Sequence, residues 1–267
     1  MSESDATMAV FLDLENIALG AREANFARFD IQLVMTRLLL RGHLVVKKAY
    51  CDFDRYKEFK RDLHEAAFEL IEIPHLRQSG KNSADIRMVV DALDLCYTKP
   101  HLDTFVVLSG DSDFSPLVSK LRENAKTVVG IGVKNSSSDL FINNCDDFIY
   151  YDDLVREKAD KARPRTQAPA QKGKPPEPAP AATSGPTLQQ ALDQLTATLS
   201  ALVQERGDEP IWASLIKPAL KRRNPGFNER AHGFKSFNDL LRAAEKSGIL
   251  TMEKNEKLGQ FSVRPVE

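Results

Sequence analysis

Nowhere does this chain run through the ~18 consecutive apolar residues that a bilayer-crossing helix needs, so no membrane span is expected. Its opening, MSESDATMAVFLDLEN, has neither a basic patch nor a long apolar stretch, so no signal peptide is expected either. Cysteine is scarce: Cys51, Cys96 and Cys145 stand far apart, with no CxxC pair. That spacing argues against a disulfide framework or a zinc site and suits a reducing cytoplasm. Net charge is nearly absent, at -1 from 37 basic and 38 acidic residues. No global field draws in a polyanion, so a nucleic acid must be held by local patches or by cations that neutralise acidic ligands. The five histidines, His43, His64, His75, His101 and His232, lack ligand spacing. No nucleophile elbow is present, and the GIG of Gly130–Gly132 lies inside a strand-like run.

One stretch, 162–186 (ARPRTQAPAQKGKPPEPAPAATSGP), lacks aromatic and large aliphatic residues altogether. Such a composition cannot bury enough apolar surface to offset its ordering entropy and reads as a disordered tether. It is either a plain spacer or, through Arg163, Arg165, Lys172 and Lys174, one that attracts phosphate. The expected division is an N-terminal domain over 1–155, a linker over 156–186 and a C-terminal domain over 187–267.

In the first segment, strand-like runs at 8–14, 44–50, 70–74, 104–108, 127–133 and 147–150 alternate with helical spacing at 31–40, 55–70, 84–97 and 112–124. Strands apolar on both faces that alternate with helices predict an α/β fold, a parallel sheet sandwiched by helices. The C-terminal segment predicts helices at 188–205, 213–223 and 236–247, then a strand pair at 250–254 and 259–263. That is a small, mostly helical domain with a β wing.

Ligands of open parallel sheets bind beyond the carboxyl ends of the strands, and acidic residues crowd those positions here. Asp13 ends the first strand in DLEN, with Asn16 just after it; Asp52 and Asp54 follow the second in YCDFD. Asp85 opens a helix, and Asp111 and Asp113 follow TFVVL in SGDSDF. Gathered carboxylates repel one another until a divalent cation relieves them, and oxygen donors select Mg²⁺ or Mn²⁺ over zinc. Beside a phosphodiester, such a metal serves hydrolysis. Asp13, Asp85, Asp111 and Asp113 are therefore the candidate metal ligands. Asn16 and Ser109 either support them or touch phosphate, and Lys81 and Arg77 either hold phosphate or sit in a solvated loop. Asp85 is expected at the edge of an apolar face made by Ile86, Val89, Val90 and Leu93, with Asp91 on the opposite, solvated side. Asp54 reads as a helix cap, and Asp52 stays open between cap and ligand.

The stretches FLDLEN, KNSADIRMVVDAL, TFVVLSGDSDFSPLVSKLRENAKTVVGIGV and NNCDDFIYYDDL, spread over 8–154, together resemble the NYN family of PIN-like nucleases. The resemblance implies a PIN-like α/β/α sandwich and Mg²⁺- or Mn²⁺-dependent endoribonuclease activity. Asp13, Asp85 and Asp111 inherit the acidic-ligand roles, supported by Asp113 and Asn16. The family pattern also keeps an acid where Asp91 stands, against the helical-wheel reading. The stretch IWASLIKPALKRRNPGFNERAHGFKSFNDLLRAAEKSGIL resembles an OST-HTH, or LOTUS, domain, which implies a winged-helix module that binds RNA or a protein partner. Within it, Lys221, Arg222 and Arg223 form a basic cluster with the makings of an RNA phosphate footprint, whereas Trp212, Phe227, Phe234 and Phe237 read mainly as core. The expected function is cleavage of single-stranded RNA by the first domain, with RNA bound by the last, in the cytoplasm. The competing expectation is a non-catalytic RNA-binding adaptor with a vestigial acidic pocket. A phosphatase ranks lower, because DLE puts only Glu15 two residues after Asp13.

Overall fold

The computed structural model describes residues 6–73, 83–162, 188–206, 211–255 and 260–266. The first segment runs β1 (Ala6–Asp13), α1 (Leu14–Glu23), α2 (Ile31–Leu38), β2 (Gly42–Cys51), α3 (Lys60–Glu65), β3 (Glu69–Glu72) and α4 (Ser83–Thr98). It continues through β4 (Thr104–Leu108), α5 (Ser115–Glu123), β5 (Thr127–Gly132), α6 (Asp139–Asn144), β6 (Asp147–Tyr150) and α7 (Tyr151–Ala162). The six strands make one parallel sheet in the order β3-β2-β1-β4-β5-β6.

Side chains alternate across a strand, and here both faces are covered. Met8, Val10 and Leu12 of β1 enter a core with Leu14 and Ile17 of α1, Val34 and Leu38 of α2, Leu63 of α3 and Leu154 of α7. Ala9 and Phe11 enter a second core with Met88 and Ala92 of α4, Leu117 and Val118 of α5 and Phe141 of α6. β4 repeats the pattern, with Val106 and Leu108 on one side and Phe105 and Val107 on the other. The result is the expected three-layer α/β/α arrangement, consistent with a PIN-like fold.

Several local expectations are corrected. Over 55–70 only Lys60–Glu65 is α-helix, after a 3-10 turn at Lys57–Phe59. Ala67 takes a left-handed φ of 57° and turns the chain into β3. Residues Ser112–Phe114 form a 3-10 turn before α5. α1 and α6 went unanticipated, and α7 runs through Ala162, seven residues past the expected end of the first domain. On α4 the buried residues are Met88, Ala92 and Cys96, while Ile86 and Val90 are exposed at 63% and 56%. Asp85, three residues before Met88, thus lies on the inner face by a different stripe from the one expected.

The chain divides into two compact units between Lys158 and Ala159. The second contains α8 (Leu188–Arg206), β7 (Ile211–Trp212), α9 (Ala213–Arg223), α10 (Phe237–Lys246), β8 (Leu250–Asn255) and β9 (Gln260–Pro265). Its antiparallel sheet has the order β7-β9-β8. α10 starts where Ser236 Oγ accepts the Asp239 N–H at 3.2 Å, and it buries Phe237, Leu240, Leu241 and Ala244, spaced at threes and fours. These pack on Leu195 and Leu199 of α8 and Ile216 and Leu220 of α9. Among the described residues, no helix is long and apolar enough to cross a membrane.

Candidate active site

The strand order reverses at β1: the chain leaves it for β2 on one side, while β4 leads to β5 on the other. Loops diverge at such a switch point and leave a crevice beyond the strand ends. Asp13 is the last residue of β1, and parallel register sets Leu12 against Leu108. Ser109 therefore follows beside Asp13 and donates its hydroxyl to Asp13 Oδ2 at 2.9 Å. The same hydroxyl oxygen accepts the Asp111 N–H at 3.2 Å. Asp13 also caps α1, its Oδ1 accepting the Asn16 N–H at 3.3 Å. Asn16 Oδ1 in turn accepts the Gly110 N–H at 2.8 Å, which ties the start of α1 to the loop after β4. Asp111 Oδ1 accepts the Asp113 N–H at 2.9 Å and so caps the turn leading into α5. Gly110 is required by close approach: a β-carbon there would overlap the backbone of Ser136, whose segment is pinned by a 2.8 Å bond from the Ser138 N–H to Gly110 O.

Like charges across this crevice show in the titration of its carboxylates. Asp13 is 8% exposed, and burial first, then the nearby Asp85 and Asp111, push its pKa from 3.8 up to about 7 against the opposing bonds from Ser109 and Asn16. Burial, then Asp111, Asp113 and Glu15, push Asp85 up to about 6. The four carboxylates named from sequence thus face one electrostatic neighbourhood. Among the described residues, no three acidic, histidine or cysteine side chains converge tightly enough to form a ready-made metal cage. Asp13 and Asp85 carry raised pKa values, and an all-oxygen donor set suits a hard divalent cation. The fit lies in donor chemistry and charge.

Other candidates fall elsewhere. Ser109 is fully buried and committed to Asp13 and Asp111, so the expectation that it contacts RNA is corrected: it holds Asp13 in place. Asp52, not Asp54, is the local cap, its Oδ1 accepting the N–H groups of Asp54 and Arg55 at 3.1 and 3.3 Å. Asp91 is neither solvated nor in the crevice. It accepts from Lys48 Nζ at 3.0 Å, Tyr50 OH at 2.9 Å and Arg87 Nε at 3.0 Å, bolting α4 to β2. Lys81 and Arg77 lie outside the described residues. Sequence reasoning passed over Glu15, whose charge raises the pKa of Asp85. Its place in the first turn after Asp13 was the available signal. In the second unit, Lys221, Arg222 and Arg223 form the last turn of α9, and Arg223 Nη1 donates to Ala197 O at 2.7 Å.

A six-stranded parallel sheet flanked by helices, with carboxylates at its switch point, defines a PIN-like α/β protein. The chain belongs to the NYN family of PIN-like nucleases: the model of the NYN domain matches residues 7–152. An uncharacterized protein of Methanocaldococcus jannaschii is 34% identical over 82 residues, 30% of this chain and 34% of that one. The chain thus spans about a third of the length of the curated relative it matches. A solved structure of a protein of unknown function from Vibrio parahaemolyticus matches with a TM-score of 0.51 and 27% identity, covering 58% of this chain and 98% of that chain.

Proposed function

We propose that the first unit is a Mg²⁺- or Mn²⁺-dependent endoribonuclease for single-stranded RNA, and that the second is a winged-helix, OST-HTH-type module that retains the RNA. The observation that carries the reading is the charge gathered at the sheet's switch point, where Asp85 and Asp111 raise the pKa of Asp13, and Asp111 and Asp113 raise that of Asp85. These four carboxylates would hold the cation, which supplies charge neutralisation and Lewis acidity at a phosphodiester. Ser109 and Asn16 fix the rotamer of Asp13 by bonding its two oxygens. Buried Asp13 must give up its proton before it can serve as a ligand, so activity should rise with pH toward neutrality. In the second unit, the order helix, strand, helix, helix, strand, strand, with β7 added to the β8–β9 hairpin, supports the winged-helix reading. A reducing, cytoplasmic setting suits the three free buried cysteines of the first unit.

The test is cleavage of an end-labelled single-stranded RNA. Wild type should cut with Mn²⁺ or Mg²⁺ and stop with EDTA. Asp13→Asn should be slower by roughly a hundredfold, about 2.7 kcal/mol of transition-state stabilisation. Cleavage that survives EDTA, or an Asp13→Asn protein as fast as wild type, would sink the proposal, and a wild type that never cuts would return the reading to an adaptor.

A further inference from the structure

A groove of about 630 Å³ opens beside the acidic crevice. Ser112, Asp113, Ser115, Pro116 and Ser119, from the turn before α5 and the first half of that helix, form one side. Leu140, exposed on α6, forms the other. Hydrogen bonds tie this groove to the crevice: the Ser109 hydroxyl holds Asp13 and accepts the Asp111 N–H, and Asp111 Oδ1 accepts the Asp113 N–H at 2.9 Å. Asp113 thus belongs to both. A strand with its phosphate at the crevice meets the groove with an adjoining sugar.

Three features choose the occupant. Ser115 is 7% exposed, and its Oγ has no hydrogen-bond partner among the described residues. Buried polar groups are nearly always bonded, and an unpartnered hydroxyl is unfavourable. A hydroxyl docked in the groove supplies the missing bond. Next, the exposed Ser119 donates its own hydroxyl to Ser115 O at 3.1 Å, which leaves the Ser119 oxygen as an acceptor. Last, no lysine or arginine lines the groove among the described residues, and Asp113 adds a carboxylate, so a phosphate is disfavoured there. Hydroxyls between the apolar flanks of Pro116 and Leu140, without a cation, suit a sugar ring. The sugar of RNA differs from that of DNA by a 2′-hydroxyl, which both donates and accepts.

We propose that this groove receives the ribose next to the scissile phosphate, its 2′-hydroxyl bonded by Ser115 and Ser119, and so makes the site select RNA over DNA. The proposal rests on the nuclease reading of the acidic crevice. It adds a source of sugar specificity, which a cation on carboxylates does not supply, because the phosphodiester is the same in RNA and DNA.

The test uses the full chain with Mn²⁺ and two end-labelled twelve-nucleotide single strands. Both carry one uracil-containing sequence and differ only in ribose against deoxyribose. Wild type should cut the ribose strand about tenfold faster in kcat/KM, as one added hydrogen bond allows. Ser115→Ala and the exposed Ser119→Ala should each lose most of that preference, slowing RNA cleavage and leaving DNA cleavage unchanged. The Ser115 hydroxyl has no bond to lose, so Ser115→Ala should melt no lower than wild type. Ser119→Ala keeps the test decisive if it does. Wild type that cuts both strands equally, or variants that keep the full preference, would overturn the ribose site and leave the nuclease reading standing. Equal losses on both strands would overturn it too, the groove then holding the strand without reading its sugar. If wild type cuts neither strand, the nuclease reading fails and the ribose site falls with it.

Discussion

Two aspartates in one helix–sheet layer carry opposite pKa shifts, and the contrast separates a site from a strut. Asp91 is only partly buried, and the bonds from Lys48 and Tyr50 outweigh that burial and hold its carboxyl below the usual range. Its stabilisation is present above about 3.9, the ordinary carboxylate value, and fades as pH falls through the lower folded value. Asp13 runs the other way. With a folded pKa of about 7 against 3.8, the native state holds a proton that the unfolded chain has released. The stability from that proton is complete below 3.8 and is lost as pH rises through about 7. Asp13→Asn in metal-free protein should therefore be more stable than wild type at pH 8, by on the order of 2 kcal/mol, with the gap closing by pH 4. Adding Mn²⁺ at pH 8 should raise the melting temperature of wild type and leave the variant unmoved. Melting curves across the pH range decide it: a gap that does not change with pH would mean that Asp13 is not held protonated.

The strands were legible in sequence because a parallel sheet buried on both faces must be written in continuous apolar runs such as Met8–Leu12 and Thr104–Leu108. The candidate aspartates were legible because Asp13 ends the first of those runs, Asp111 and Asp113 lie in the loop after the second, and Asp85 opens a helix. What escaped depends on tertiary context. Asp13 ends β1 and caps α1 in one residue, so no linker marks where the helix begins. α6 spans six residues, too short to show a period. On α4 the stripe Ile86, Val90 looks as apolar as the stripe Met88, Ala92, Cys96, and only packing chooses between them. Asp91 decides how that helix sits, since its partners come from β2, some forty residues away. Asp91→Ala would leave the Lys48 ammonium with only the longer contact to Glu69, at 3.5 Å, and would strand the hydroxyl of Tyr50, itself 1% exposed. The expected cost is about 3 kcal/mol. Adding Tyr50→Phe to Asp91→Ala should cost clearly less than the sum of the two single changes. Denaturant melts of the four proteins give the cycle, and simple additivity would show that the contact does not hold α4 to the sheet.

At the scale of the whole chain, acidity and basicity are placed on different units. On the proposed reading, the first unit gathers carboxylates where substrate phosphate would come, so without a cation it should repel RNA. The second unit carries Lys221, Arg222 and Arg223 in the last turn of α9, where a helix C-terminus also favours positive charge. Binding and cutting should then respond to different substitutions. Changing all three basic residues to glutamine should weaken RNA binding by full-length protein and flatten its salt dependence, by about 0.7 in the log–log slope for each single-strand phosphate left without its cation. Turnover at saturating RNA should change little. Asp85→Asn should do the reverse, sparing affinity in EDTA and abolishing cleavage in Mn²⁺. Arg223 also holds a carbonyl of α8, so a melting curve of the triple variant must accompany the binding data, and the double change at Lys221 and Arg222 serves if it has loosened. Anisotropy over a salt series beside a cleavage gel reads both quantities. If the folded basic variants bind as tightly as wild type at every salt concentration, retention of RNA does not reside in this turn. If Asp85→Asn loses affinity in EDTA as well as activity, the acidic crevice contributes to grip, and the separation of roles between the two units fails.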